Sequence, residues 1–138
     1  MACNPYCSPC AKTHAQLDEI LNKYADKIKV QIRLISVPKY SNNKTTIAVK
    51  NILQSAKLIK NNSDLQQMIT DWFAWMDYEK WSRKWEIDNT LDMQDDLERH
   101  ATWITDSKIS YTPTLFIDGK QIPNRYNLKD LEKLIPQL

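Results

Sequence analysis

Cys3-Asn4-Pro5-Tyr6-Cys7-Ser8-Pro9-Cys10 runs without a break into Ala11-Lys12-Thr13-His14-Ala15-Gln16-Leu17, which reads as the opening of a helix. A Cys-x-x-Cys pair at a helix start is a redox signature with a direct physical cause. The first N–H groups of the helix and the positive end of its dipole stabilise a thiolate at Cys7, bringing its pKa from about 8.5 into the range of about 3.5–7.5. Cys7 is thus read as the attacking sulfur. Cys10, one turn deeper on the same face, is placed to resolve a mixed disulfide. Pro9 suits an early helix position, where its missing N–H costs nothing.

The composition narrows the rest. A chain of 138 residues with 42% hydrophobic content is expected to form one domain with a real core. Its 19 basic and 17 acidic residues nearly cancel, and no basic run is interleaved with aromatics, so no nucleic-acid partner is expected. No apolar run approaches the roughly 18 residues of a membrane span, and no charged N-terminal stretch leads into a hydrophobic one, so no signal peptide is visible. Three cysteines within the first ten residues cannot staple a fold spread over the remaining chain; their use is chemical. By spacing alone they also match Cys-x3-Cys-x2-Cys, which resembles the iron–sulfur motif of radical S-adenosylmethionine enzymes. Those enzymes look like large barrels with glycine-rich cofactor contacts, whereas Gly119 is the single glycine here. A zinc site would need His14 or His100 as its fourth ligand and lacks closely spaced ligand pairs downstream. No metal or other cofactor is expected.

Periodicity gives the elements in order. Ala11 to about Ala25 has helical spacing, and Lys27 to Ile35 alternates polar and apolar residues as a strand does, ending before Pro38. Asn43 to about Lys60 returns to helix, and Asn61-Asn62 breaks it. Ser63-Asp64-Leu65-Gln66 reads as a capping box opening a helix through Met76, followed by Tyr78, Trp81 and Trp85 at helical spacing. Asp88 or Asn89 is placed to cap a further helix through Ile104. Thr114 to Ile117 and Lys120 to Ile122 form a hairpin around Asp118-Gly119, and Asn127 caps a last helix carrying Leu128, Leu131, Leu134 and Ile135. For the tryptophan-rich stretch two readings stand, a core for the helices and a peptide groove; aromatics at helical spacing bury themselves first.

The order of redox pair, helix, strand, helices, Thr112-Pro113, hairpin and helix resembles the thioredoxin fold over nearly the whole chain. The helices of residues 43–106 look like the insertion of the DsbA-like, disulfide-forming branch. More narrowly, Asn4-Pro5-Tyr6-Cys7-x-Pro9-Cys10-Ala11-Lys12-x-His14 is similar to thioredoxin-like domains fused to bacterial vitamin K epoxide reductase homologues. The expected class is therefore α/β, a thioredoxin-like fold with an inserted helical subdomain. In this family the proline matching Pro113 is cis and lies against the redox pair, which implies that Thr112 touches the Cys7 sulfur and that its backbone pairs with a substrate polypeptide. Ser8 and Pro9 complete the expected substrate-binding surface.

One departure has consequences. A thioredoxin fold runs a central strand into the Cys-x-x-Cys turn, yet only Met1 to Tyr6 precede Cys7 here, so that strand is missing or truncated. The chain is expected to be a domain excised from a longer protein, with a sheet slot open to dimerisation or strand exchange. Cys3 reads as a third relay thiol or as a small residue at a strand end. His14 reads as a proton shuttle for Cys10 or as a packed helix residue, and Lys12 as an aid to the Cys7 thiolate or a solvated lysine. His100, between Arg99 and Ala101, reads as a surface residue.

The expected function is thiol–disulfide exchange with protein substrates, outside the cytoplasmic membrane and coupled to a membrane quinone-linked partner. The alternatives are a cytosolic thioredoxin-like reductase, a peptide-docking domain without catalysis, and the iron–sulfur protein. Ser8-Pro9 resembles the Gly-Pro of reducing thioredoxins while the helices of 43–106 resemble the oxidising branch, so redox direction stays open.

Overall fold

A short sheet offers few backbone groups, and the apolar faces of the helices cover them. A computed structural model gives the fold for residues 1–85 and 90–138. The elements are β1 (Ala2–Cys3), α1 (Ser8–Tyr24), β2 (Arg33–Leu34), α2 (Lys44–Leu58), α3 (Asn62–Trp75), α4 (Tyr78–Lys84), α5 (Gln94–Asp106), β3 (Phe116–Ile117), β4 (Lys120–Gln121) and α6 (Leu128–Glu132). A 3₁₀ turn over Ile135–Gln137 follows. Among the described residues no helix is long and apolar enough to cross a membrane.

β1 is two residues long and sits between two neighbours. It pairs in parallel with β2, Ala2 opposite Arg33 and Cys3 opposite Leu34. On its other side Ala2 exchanges hydrogen bonds of 2.8 and 3.0 Å with Thr114. The strand expected over Lys27 to Ile35 is correspondingly short. Alternation marks which side chains face inward, but a ladder extends only as far as its partner, so its bonds stop at Arg33 N–H to Met1 O and Ile35 N–H to Cys3 O. The free edge of β2 is covered from α5. Leu34 N–H donates to His100 Nδ1 at 3.2 Å, which makes His100 a half-buried edge cap and not a surface residue. β3 and β4 form an antiparallel hairpin whose central Asp118 and Gly119 both have positive φ, 48° and 79°, as a type I′ turn requires.

Local capping chemistry starts the helices. Asn43 Oδ1 accepts from Thr45 N–H and Thr46 N–H to open α2. α3 opens earlier than the expected Ser63 box. Asn61 Oδ1 accepts from Asp64 N–H at 2.8 Å while Asn61 Nδ2 donates to Asp64 Oδ2, so the residue read as a breaker is the cap. Gln66, freed from capping, reaches Asp18 and Asn22 on α1. Met76 ends α3 in the left-handed conformation (φ 44°), and Asp77 caps α4. The caps expected at Asp88 or Asn89 lie outside the described residues; Asp92 Oδ1 accepts from Gln94 N–H at the start of α5. α6 opens with a capping box between Asn127 and Asp130 and ends at Glu132, short of the expected run.

The core lies where α1 meets α3 and the helices fold over β1 and β2. Trp72 and Trp81 have no exposed surface and meet edge to face with ring centres 5.5 Å apart. Each satisfies its indole N–H, Trp81 on Met68 O at 3.1 Å and Trp72 on Pro5 O at 2.7 Å. The tryptophans at these two positions therefore form a core. A buried carboxylate joins α3 to α4: Asp71 takes Lys84 Nζ at 2.6 Å, Gln67 Nε2 at 2.8 Å and Trp85 Nε1 at 3.1 Å. A second cluster of Ile20, Leu128 and Ile135 fixes α6 and the 3₁₀ turn against α1.

Candidate active site

The loop into α1 is shaped by Asn4. Its Oδ1 accepts from Tyr6 N–H at 2.9 Å and its carbonyl from Cys7 N–H at 3.2 Å, a turn that asparagine makes readily. Cys7 then takes an extended conformation (φ −102°, ψ 116°) as the N-cap of α1, with its Sγ 3.4 Å from the Cys10 N–H that it accepts. Ser8 and Pro9 are exposed in the first turn of the helix, and Cys10 points into the core.

Thr112-Pro113 lies across from this turn, more than a hundred residues along the chain. Its peptide bond is cis. The Thr112 hydroxyl donates towards Cys7 Sγ at 3.7 Å, and the Cys7 thiol towards Thr112 O at 3.9 Å. Thr114, one residue past the proline, is locked to β1, so this segment and the redox turn share one support. All three cysteines are free thiols.

Charge at the site is shared among sulfurs. Burial pushes the Cys7 thiol up, Cys10 adds to that, and the Cys10 N–H and Thr112 hydroxyl oppose it. Cys10 is brought down to about 6, first by donation from Cys3 against the cost of its own burial, then by Cys7, Asn4 N–H and Thr112. This reverses the expectation that the helix start lowers Cys7. The first proton lost belongs to the coupled pair, and access separates the two members: Cys10 has no exposed surface, while Cys7 is half-buried at the rim.

The remaining expected residues fall in different places. Cys3 is fully buried at the end of β1 beside Cys10. His14 is buried between α1 and α3, stacked on Phe73 with ring centres 4.8 Å apart and Nδ1 3.8 Å from Asp18 Oδ2. Burial holds its pKa below the usual imidazole value, with Asp18 opposing. Asp18 also accepts from the Thr70 hydroxyl. Lys12 is exposed, and among the described residues no hydrogen bond or ion pair joins it to the cysteines. Also among the described residues, no group of three or more His, Cys, Asp and Glu side chains converges as metal ligands do.

Sequence reasoning passed over two residues that shape the site. Trp72, on α3, pins the Pro5 carbonyl two residues before Cys7 and packs on Tyr6 with ring centres 5.4 Å apart. Lys44, the first residue of α2, holds its ammonium 4.0 Å from the centre of the Tyr6 ring. Neither carries a motif, and only the pairing of distant helices brings them here. Two surface clefts among the described residues lie elsewhere, one of about 290 Å³ between α2 and the start of α5 and one beside Trp85.

Comparison with the curated proteins and with the solved structures gave no match. A family model described as Thioredoxin matches residues 3–137, which span the redox turn, the cis-proline segment and both flanking helices; the chain belongs to the thioredoxin family, with the α/β fold and the thiol–disulfide chemistry that go with it.

Proposed function

We propose that this protein is a thiol–disulfide oxidoreductase acting on protein substrates, with Cys7 as the nucleophile and Cys10 as the resolving thiol. The observation that carries the reading is the meeting of Cys7 Sγ with the Thr112 hydroxyl and carbonyl at 3.7 and 3.9 Å, at a rim where Cys7 is accessible and Cys10 is not. The Cys7 thiolate attacks one sulfur of a substrate disulfide, the substrate S–S bond breaks, and the other substrate sulfur leaves as a thiolate. Cys10 then attacks Cys7 Sγ, releasing the second substrate thiolate. The substrate gains two electrons and the pair becomes a disulfide; the reverse sequence oxidises a substrate dithiol. An extended substrate segment pairs its backbone with that of Thr112, half-buried at the same rim.

The finer reading is a DsbA-like domain working outside the cytoplasmic membrane beside a membrane quinone-linked partner related to vitamin K epoxide reductase. Its support is the run from Asn4 to His14 together with helices α2–α5 between β2 and β3. Cys7→Ser is expected to reduce exchange with a disulfide substrate to background. Cys10→Ala is expected to trap the partner as a mixed disulfide on Cys7, so that the trapped protein can be identified directly. Exchange that survives Cys7→Ser would leave only peptide docking beside Pro113.

A further inference from the structure

One cation stands beside the redox turn without a counter-ion among the described residues. Lys44 opens α2, and its ammonium lies 4.0 Å from the centre of the Tyr6 ring. Tyr6 is the residue before Cys7 and is held from two sides: its N–H donates to Asn4 Oδ1 at 2.9 Å, and its ring meets Trp72 edge to face with centres 5.4 Å apart. The lysine is exposed and the tyrosine half-buried. Contact with the ring fixes where the charge sits but does not neutralise it, because a ring face carries no net charge. Among the described residues no carboxylate pairs with Lys44.

Helix stability does not account for this placement. The first turn of a helix favours carboxylates and disfavours ammonium groups. Helices α3 to α6 follow that rule, with Asp64, Glu79, Asp95, Asp96 and Asp130 in their first turns. The first turn of α2 has no acidic residue and begins with Lys44, and the first turn of α1, capped by Cys7, has no acidic residue either. Asp77 faces Tyr6 from α4, but it is engaged as the cap of that helix, its Oδ1 accepting from Lys80 N–H at 3.1 Å. The rim beside the nucleophile therefore presents an uncompensated positive charge.

We propose that Lys44, seated on the Tyr6 ring, is a specificity-determining residue that favours protein disulfides flanked by acidic side chains. This rests on the oxidoreductase reading. An extended segment advances about 3.3 Å per residue, so a substrate cysteine held at Cys7 carries neighbours a few residues away past the Tyr6 ring. A carboxylate there is attracted by an ammonium with no competing counter-ion, and a lysine there meets like charge. The exchange steps are unchanged: Cys7 attacks, one substrate sulfur leaves as a thiolate, and Cys10 releases the other. Lys44 acts on the encounter and on the mixed disulfide. Attraction between exposed charges is screened by salt, so the preference is strongest at low ionic strength.

The test uses three synthetic peptide disulfides, alike except that aspartates, serines or lysines flank the cysteine. Each is mixed with the reduced protein, and the loss of free Cys7 and Cys10 thiols is followed by mass spectrometry of alkylated samples. Rates with the charged peptides are divided by the same variant's rate with the serine peptide, so that a change in folding or in Cys7 reactivity cancels. The unaltered protein is expected to react faster with the aspartate peptide than with the lysine peptide, and the difference should fade towards about 1 M salt, where the Debye length is about 3 Å. Lys44→Gln is expected to lower the aspartate-to-lysine ratio about threefold and Lys44→Glu about tenfold, as removal and reversal of a unit charge about 10 Å away in water predict, while Lys44→Arg keeps the ratio. Lys129→Glu makes the same change of net charge on α6, which packs on Ile20 towards the other end of α1, and should leave the ratio in place. Equal rates for the charged peptides in the unaltered protein, a ratio that survives Lys44→Gln, or an equal fall in Lys129→Glu would overturn the proposal and leave the oxidoreductase reading standing. Failure of all three peptides to oxidise the Cys7–Cys10 pair would overturn that reading and the proposal with it.

Discussion

The redox turn and the helical layer of α2–α5 are held together by opposite means. Around Cys7 the order comes from polar contacts: Asn4 turns the loop by accepting from Tyr6 N–H, and the Cys10 N–H and Thr112 hydroxyl converge on the Cys7 sulfur. In the helical layer the order comes from buried aromatics, with polar groups satisfied as completely as Asp71 or, at Gln54, not at all. The two regions meet in one strong contact, Trp72 Nε1 on Pro5 O. A scaffold built on bulk apolar contact tolerates a poorly paired amide; a site built on the placement of one sulfur depends on each donor, and it borrows rigidity from the scaffold through that indole.

The largest effect is expected where the regions join. Trp72→Phe keeps most of the ring but leaves the buried Pro5 carbonyl without its donor, so stability should fall by about 1–3 kcal/mol in chemical denaturation. Cys7 alkylation should change with it, because the loop loses its anchor. A stability loss with Cys7 reactivity unchanged would show that the layer does not hold the turn.

Gln54 sharpens the contrast from the other side. It has no exposed surface, and among the described residues neither side-chain polar atom has a partner. Gln54→Met, of similar length and apolar, should raise stability by about 1–2 kcal/mol in the same measurement and leave exchange untouched. A destabilised variant would mean that the amide is satisfied by a group such as internal water.

Thr112→Val is the matching change at the site. It preserves shape and deletes the hydroxyl facing Cys7 Sγ. Exchange at neutral pH should slow by about fivefold, equivalent to about 1 kcal/mol, with thermal stability nearly constant. A change in stability without a change in rate would place Thr112 in the scaffold.

The smallest effect is the pH dependence of the scaffold. Burial lowers the pKa of both His14 and His100. Both are neutral in folded and unfolded states above about 6.5, where this contribution to stability is fully present; below it the unfolded chain takes up protons that the folded chain refuses, and stability falls with pH. Equilibrium unfolding between about pH 7 and about pH 5 should show the decline. His100→Asn, whose Oδ1 can replace Nδ1 as acceptor for Leu34 N–H, should flatten part of it.

What the sequence discloses divides along the same line. Cys7-Ser8-Pro9-Cys10, Thr112-Pro113, Asp118-Gly119 and Asn127 are contiguous signals whose chemistry is complete within a few residues, so each can be read without a partner. The ladder over Lys27 to Ile35 cannot, because its length belongs to β1 as much as to itself. The same holds for His100, whose role exists only once Leu34 lies beside it, and for Lys44 and Trp72, whose places at the site depend on how α2 and α3 pack. Asn61 outcompeted Ser63 because two adjacent caps were chemically adequate and tertiary packing chose the register. The ionisation at the site follows suit. A helix N-terminus predicts a lowered Cys7, whereas in the coupled pair the lowering falls on Cys10 and burial raises Cys7.

The most direct test of the account is the reduction potential of the Cys7/Cys10 couple as a function of pH, measured in glutathione buffers with mass spectrometry of alkylated thiols. A couple in which one thiol is already ionised above about pH 6 releases one proton per two electrons and should change by about 30 mV per pH unit between pH 7 and pH 8; a couple with both thiols protonated changes by about 59 mV. A single Cys7–Cys10 disulfide with the shallower slope is the predicted result. The steeper slope would contradict an ionised thiol in the reduced pair, and independent glutathione adducts with no Cys7–Cys10 disulfide would contradict the redox pair itself.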